Sequence, residues 1–378
     1  MAVMSVAMGS VDRARSRFLD LYMLVVTLAL VTFGLLALYS ADGAGALRFG
    51  SLLVKQLLFS VLGMGLMAMF ALIDYRIFYR IAWLLYAVSV LLLVAVARFG
   101  YVVLGARRWF DFGPLTLQPS ELAKVAVTIA LAAFIASQGE NMRAWYNFLI
   151  SIAIVAVPAA LVYKEPDLGT ALVFIAIWAG TMAVSKTRSW YFLLLIVVAI
   201  PAMAFAWRHL EPYQKSRLDA FLDPTSKQNI RGEGFNIVQA VNSTSSGGLT
   251  GQGMKGGALS DYNYLAVRTT DFIFAHAASM FGFIGCVALI TLFFMLIWRY
   301  TKVIGVAGDT FGQVIAAGLT AQVLFQTVVN IGMNIRLLPV TGVPLPFISY
   351  GGTALWVLLV GQGLMQSILV RHKKFVIG

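Results

Sequence analysis

Thr269-Thr270-Asp271-Phe272-Ile273-Phe274-Ala275-His276 opens an apolar run that continues to Trp298, directly after the polar stretch 208–270. That run decides the fold, because about twenty apolar residues in helical form cross the hydrocarbon core of a bilayer. Working outward, nine more runs of similar character lie at 19–40, 51–72, 78–98, 121–137, 146–162, 168–185, 189–207, 311–332 and 351–370. None alternates with the period of two that marks the strands of a membrane barrel, so the spans read as helices. The expected architecture is an all-α integral membrane protein, a single polytopic domain over 1–378. It has ten transmembrane helices, with 208–270 as a large extracellular loop between helices 7 and 8. Asp271 then stands at the outer lip of a span, where a carboxylate meets both water and anything carried in the lipid.

Composition agrees. The 378 residues are 60% hydrophobic and 12% charged, with a mean hydropathy of +0.85, whereas soluble domains carry about 25% charged residues. Placing both termini in the cytoplasm puts thirteen lysines and arginines of the termini and short loops inside. Eight remain outside: Arg48, Lys55, Arg98, Arg107, Arg108, Lys124, Lys164 and Arg336. That excess favours cytoplasmic termini. The net charge of +12 is accounted for by bases facing anionic headgroups, and nothing points to nucleic acid. The N-terminus has no small-residue cleavage pattern after its first apolar run and reads as an uncleaved span. Cys286 is the single cysteine, which excludes an intramolecular disulfide. His209, His276 and His372 share no spacing that would build a zinc site.

Within the loop, 211–222 has the pattern of an amphipathic helix lying on the membrane surface. The glycines from Gly232 to Gly257 suit a flexible connector better than a ligand cradle. Gly251-Gln252-Gly253-Met254-Lys255-Gly256 is not a P-loop, since no Ser or Thr follows the lysine.

Four polar strings sit at the expected outer helix ends. Arg107-Arg108-Trp109 precedes Gln118-Pro119-Ser120-Glu121-Leu122-Ala123-Lys124, in which Pro119 and Glu121 suit a helix start. Lys124 lies inside an apolar span, where a charge needs a partner and marks function; Glu121, three residues earlier, shares its face. Lys164-Glu165-Pro166-Asp167-Leu168-Gly169-Thr170 reads as a turn with Asp167 capping the next helix. At Thr269-Thr270-Asp271, capping competes with a catalytic reading. The positive end of a helix dipole keeps a carboxylate ionised, as a general base must be. The last string, Leu338 to Gly352, is too irregular for lipid-exposed helix and must line protein or a wet cavity.

These strings resemble the signature blocks of the SEDS family (shape, elongation, division and sporulation). Gln118-Pro119-Ser120-Glu121, Pro166-Asp167-Leu168-Gly169-Thr170, Thr270-Asp271-Phe272-Ile273-Phe274-Ala275 and Leu338–Gly352 occur in family order. Phe221-Leu222-Asp223-Pro224 and Ser246-Gly247-Gly248-Leu249 match the family's large extracellular loop. The resemblance implies a ten-helix peptidoglycan glycosyltransferase of the RodA or FtsW type, with RodA favoured. Such proteins polymerise lipid II, the undecaprenyl-diphosphate-linked disaccharide peptide, at the outer face of the bacterial cytoplasmic membrane. They work with a class B penicillin-binding protein. By motif position Asp271 matches the family's essential aspartate, and Glu121, Lys124 and Asp167 match its buried polar cluster. The resemblance also implies a divalent cation, magnesium or manganese, whose ligands no motif here identifies.

The residue chemistry fits inverting transfer: Asp271 takes a proton from the acceptor 4-hydroxyl, and cations receive the departing diphosphate. Lys124, Arg108, Arg48 and Arg336 are the candidate cations. The chain departs from the family around Asp271. Ala266-Val267 and Arg268-Thr269 replace a Pro-Glu pair and a histidine, Ala278-Ser279-Met280 replaces Gly-Glu-Glu, and Arg336 stands where a small residue is usual. Two other classes stay open on sequence: a lipid II flippase, and a catalytically silent scaffold for a penicillin-binding protein.

Overall fold

The computed structural model describes residues 19–42, 46–48, 50–103, 106–113, 116–195, 197, 212–226, 233–254 and 269–372. Its helices, in chain order, are α1 (Leu21–Asp42), α2 (Leu52–Leu72), α3 (Ile77–Phe99), α4 (Pro119–Gln138), α5 (Trp145–Lys164) and α6 (Leu168–Ala183). After these come α7 (Pro212–Leu222), α8 (Glu233–Ser246), α9 (Ile273–Val306), α10 (Thr310–Asn334) and α11 (Gly352–Arg371). Among the described residues eight helices are long and apolar enough to cross a membrane, and α6 is a shorter apolar helix. The span expected at 189–207 begins with helix over 190–195; most of its remainder falls outside the described residues. Helices α4, α10 and α11 are buried on most sides and form the centre of the bundle, while α2 and α3 lie at its periphery. Small residues permit the close approaches that apolar surroundings alone do not drive. A Cβ at Gly318 of α10 would press on Thr128 of α4 and Thr181 of α6.

One departure from an all-α chain is a small antiparallel sheet in the order β1-β2-β3, formed by Tyr101–Val103, Ala106–Asp111 and Thr116–Leu117. Arg107 pairs with Val102, and Asp111 with Thr116. The sheet links the end of α3 to the start of α4, and Thr353 of α11 fastens it by donating its hydroxyl to the Thr116 carbonyl (2.8 Å).

The run from Asp271 to Trp298 is not one helix. At 34 residues α9 is longer than a bilayer requires, and it is broken at Gly282, whose φ of 63° and ψ of −163° are not helical. A short, wholly buried piece, 273–280, precedes the break, and the membrane-length piece follows it. A break at this depth frees backbone groups that must find partners. The loop supplies them: Phe283 and Ile284 donate to the carbonyls of Gly248 and Leu249, while Gln252 and Gly253 donate to those of Ser279 and Met280. Gly247 and Gly251 are therefore part of neither a loose connector nor a ligand cradle. A Cβ at Gly247 would overlap the Ala278 carbonyl, and one at Gly251 the Met280 carbonyl. Gly251 also has a left-handed φ of +83°, a region that favours glycine. Nor does the amphipathic helix lie on lipid. Ala220 of α7 is buried in a cluster with Ile237, Ala240, Phe272 and Met333, and Gln214 accepts a hydrogen bond from the Tyr163 hydroxyl.

At the opposite end of the bundle Asp309 caps α10 and binds the Tyr75 hydroxyl (2.6 Å) and Arg76 Nε (2.9 Å). Arg299 pairs there with Asp20. The bundle's ion pairs thus divide between two ends, with the loop helices at only one of them.

Replacing Gly251 by alanine is expected to destabilise the protein by about 2–4 kcal/mol, combining left-handed strain with overlap of main chain. Gly253 has a similar φ of +80° but open space around it, so Gly253→Ala should cost only about 1 kcal/mol. Thermal unfolding midpoints of the two detergent-purified variants check the difference.

Candidate functional site

The irregular string from Leu338 to Gly351 is held by hydrogen bonds that also fix the residues before α9. Asn330 Nδ2 donates to the Val343 carbonyl (2.8 Å) and the Asp271 carbonyl (3.0 Å), and Asn334 Nδ2 donates to the Asp271 carbonyl as well (3.0 Å). Ser349 donates its hydroxyl to the Thr270 carbonyl (2.7 Å), and the Tyr350 amide donates to the Thr269 carbonyl (2.8 Å). Gln56 on α2 accepts from the Gly351 amide. Asp271 therefore sits on a main chain clamped from α10 and from the irregular string. Phe272, not Asp271, is the N-cap residue of α9. The carboxylate stands one residue ahead of the cap, at the head of the short buried piece rather than of the spanning one.

Above this clamp lies a cavity of about 610 Å³. The sheet contributes Ala106, Arg108, Trp109 and Thr116, and α4 contributes Glu121. The turn before α6 contributes Pro166 and Asp167, and Thr270, Asp271 and Phe272 form another wall. Val340, Thr341, Gly342, Pro344 and Tyr350 to Ala354 supply much of the rest, and the loop helices add Arg217 from α7 and Asn236 from α8. The volume lies within the range of about 300–1,000 Å³ usual for ligand sites.

The structure brings Asp271, Glu121, Asp167 and Arg108 to this one cavity. Asp167 caps α6, accepting from the Thr170 amide (3.0 Å), and also meets Arg108 at 3.7 Å, so the capping reading captures half of its role. Arg108 is held further by the Glu165 carbonyl (2.8 Å from Nε) and the Pro166 carbonyl. Lys124 and Glu121 form an ion pair at 2.7 Å with relative exposures of 1% and 3%. Lys124 is thus sealed beneath Glu121, outside the cavity lining. Removing one member of such a pair leaves an uncompensated buried charge, which costs about 3–5 kcal/mol.

Two further expected cations, besides Lys124, are not in the lining. Arg48 is exposed in the turn before α2, because the turn carries it out on the rim of the bundle. Arg336 is exposed and donates to the Leu222 carbonyl at the end of α7 (3.4 Å), tethering the loop helix. Its left-handed φ of 58° is a conformation in which a small residue is more at ease. The segment 266–268 lies outside the described residues.

Sequence reasoning missed Arg217, Asn236, Asn330, Asn334 and Glu165. The asparagines carried a signal, two amides one helical turn apart in an apolar span, where polar groups seek partners. Glu165 is 5% exposed and its Oε1 has no hydrogen-bond partner. Burial, and then the charge of Asp167, pushes its carboxyl up to about 8, against a smaller opposing pull from Arg108. Among the described residues no group of three or more His, Cys, Asp or Glu is placed to hold a metal ion. Glu121 is paired with Lys124, and Asp167 with Arg108 and the α6 cap.

The sequence profile of the FtsW, RodA and SpoVE cell cycle proteins matches residues 20–374. The chain is 36% identical over 359 residues to the peptidoglycan glycosyltransferase MrdB of Escherichia coli K12, covering 94% of each chain. A chain from a peptidoglycan synthase complex that coordinates polymerization and crosslinking superposes with a TM-score of 0.80 at 28% identity, over 94% of this chain and 99% of that one. The rod shape determining protein RodA of Thermus thermophilus gives 0.68 at 27% identity, over 94% and 96%.

A carboxyl whose native pKa lies above its ordinary value of about 4.3 binds its proton more tightly folded than unfolded. Its contribution to stability is therefore full at low pH and lost as pH rises toward 8. Glu165→Gln removes this penalty. The variant's thermal midpoint should match or fall below wild type at pH 5 and exceed it at pH 8.5, as differential scanning fluorimetry at both values would show.

Proposed function

The chain belongs to the FtsW, RodA and SpoVE family of cell cycle proteins, and from that membership we propose that the Asp271 cavity is where a glycan strand is lengthened on lipid II. The chain is a peptidoglycan glycosyltransferase, as its relatives are named. The observation that carries the site is the convergence of Asp271, Arg108 and Arg217 on one cavity large enough for a sugar headgroup.

In this reading the Asp271 carboxylate accepts the proton of the acceptor sugar's 4-hydroxyl. The oxygen so released attacks the anomeric carbon of the growing strand. The new glycosidic C–O bond forms as the bond from that carbon to the lipid diphosphate breaks, and the configuration inverts from α to β. The bonding pair leaves with the diphosphate. Arg108 and Arg217, whose guanidinium forks suit phosphate oxygens, are there to receive that charge. Arg108 is oriented beforehand by Asp167 and two carbonyls, so little reorganisation accompanies the step. The clamp from Asn330 and Asn334 holds the Asp271 main chain still, which supports its use as a base. A magnesium or manganese ion bound with the substrate's diphosphate would need only one or two carboxylates beside the phosphate oxygens and would supply further charge for the leaving group.

The active face is the outer side of the cytoplasmic membrane, with both termini inside, which the excess of bases on the other flanks supports. A class B penicillin-binding protein is the proposed crosslinking partner, by analogy with the synthase complex of the structural neighbour. The flippase and scaffold alternatives are not favoured by relatives named for glycosyl transfer.

Asp271→Asn should lower glycan synthesis from lipid II by about 10²–10⁴-fold, with an unchanged thermal midpoint. Gel analysis of strands made by purified protein in liposomes reads the first quantity. A flippase would make no glycan in either form. A scaffold carrying Asp271→Asn would still complement loss of the wild-type chain in cells.

A further inference from the structure

Arg107 and Arg108 are neighbours on β2, at an irregularity where Trp109 pairs with Tyr101 and Arg107 with Val102, so that Arg108 is the extra residue and regular strand alternation is broken. Arg108 lines the cavity. Arg107 is exposed outside it and donates Nη1 to the carbonyl of Arg98 (3.3 Å), itself exposed in the last turn of α3. Helix α3 has 23 residues, about 34 Å at 1.5 Å each, which is enough to cross a core of roughly 30 Å. Its C-terminal end therefore delivers Arg98 to the level of the headgroup phosphates. Phe99, Tyr101 and Phe112, 79%, 60% and 64% exposed, lie on the same end of α3 and the same hairpin. Aromatic rings of this kind settle at the boundary between headgroups and acyl chains. The sole carboxylate of the hairpin, Asp111, accepts from the Gly113 amide (2.8 Å) in the following turn.

We propose that Arg98 and Arg107 form a reception site on the outer face of the hairpin for the diphosphate of a polyprenyl-linked sugar. The hairpin is then the wall between lipid and cavity. Arg107 takes hold of the substrate's phosphates at headgroup depth, and Arg108, the next residue of the strand, receives them inside. Forked, charge-assisted contacts favour a diphosphate over a single phosphodiester, because two phosphates offer more oxygens to two guanidiniums than one does. The aromatic rings keep the hairpin seated at that depth. This inference rests on the lipid II reading above.

The test uses the full chain in phosphatidylcholine liposomes, with and without phosphatidylglycerol, over a series of lipid II mole fractions. Arg98→Gln/Arg107→Gln should raise the apparent KM for lipid II about tenfold and leave kcat unchanged, with Arg107→Lys intermediate. In the same liposomes retention of undecaprenyl diphosphate, measured without turnover, should weaken by a similar factor. An unchanged KM and unchanged retention would overturn the proposal. So would an effect seen only with phosphatidylglycerol present, which would make the hairpin a general lipid anchor, or a fall in kcat at constant KM. Should wild type make no glycan at all, the proposed function fails, while the retention measurement still decides the reception site.

Discussion

Backbone that leaves helical form inside a membrane protein must hydrogen-bond to something other than water, and the architecture around Asp271 follows from that constraint. Three irregular places come together here: the break at Gly282, the turn at 269–272 and the string 338–351. Each is met by irregular backbone from elsewhere in the chain or by a side-chain amide or hydroxyl. The loop segment 247–253 meets the break, Thr269 and Thr270 meet Tyr350 and Ser349, and Asn330 and Asn334 meet Asp271 and Val343. A regular helix through 269–272 or 338–351 would release the other's partners and remove residues that line the cavity.

The cavity is consequently a by-product of satisfied irregularity. Helices alone would pack to near-crystalline density and leave no room for a headgroup. The charges that face the space are kept apart by the same means. Lys124 is consumed by Glu121 below the floor, and Arg108 balances Asp167 at the wall. Glu165 stays behind it as a carboxyl whose proton is retained near neutrality. The lining thus sets Asp271 in one space with Arg108 and Arg217, the combination that proton removal and diphosphate departure call for.

The comparison of sequence with structure divides along physical lines. Span locations were legible because membrane helices bury apolar surface over a fixed length, and α1 to α5, α10 and α11 lie close to where hydropathy puts them. Asp167 as a cap and Glu121 in a first turn were legible because capping is local. The sheet at 101–117 was not, since three short strands carry too little periodicity to register between two spans. The break at Gly282 was also invisible. A glycine in an apolar run looks like any small packing residue until the loop that replaces its lost hydrogen bonds is seen.

What the sequence determined by itself was a membrane bundle, the motifs that identify its family, and Asp271, Glu121, Asp167 and Arg108 as the residues to watch, because each follows from composition or short spacing. Tertiary structure alone decided which cations face the cavity. Arg48 and Arg336 drop out, Lys124 is sealed away, and Arg217 arrives from a loop helix. It also decided that Asp271 rests on amides from a helix some sixty residues downstream. Those outcomes depend on which distant segments meet, and that is settled by packing and by the demand for backbone partners, neither of which has a signature in the local order of residues.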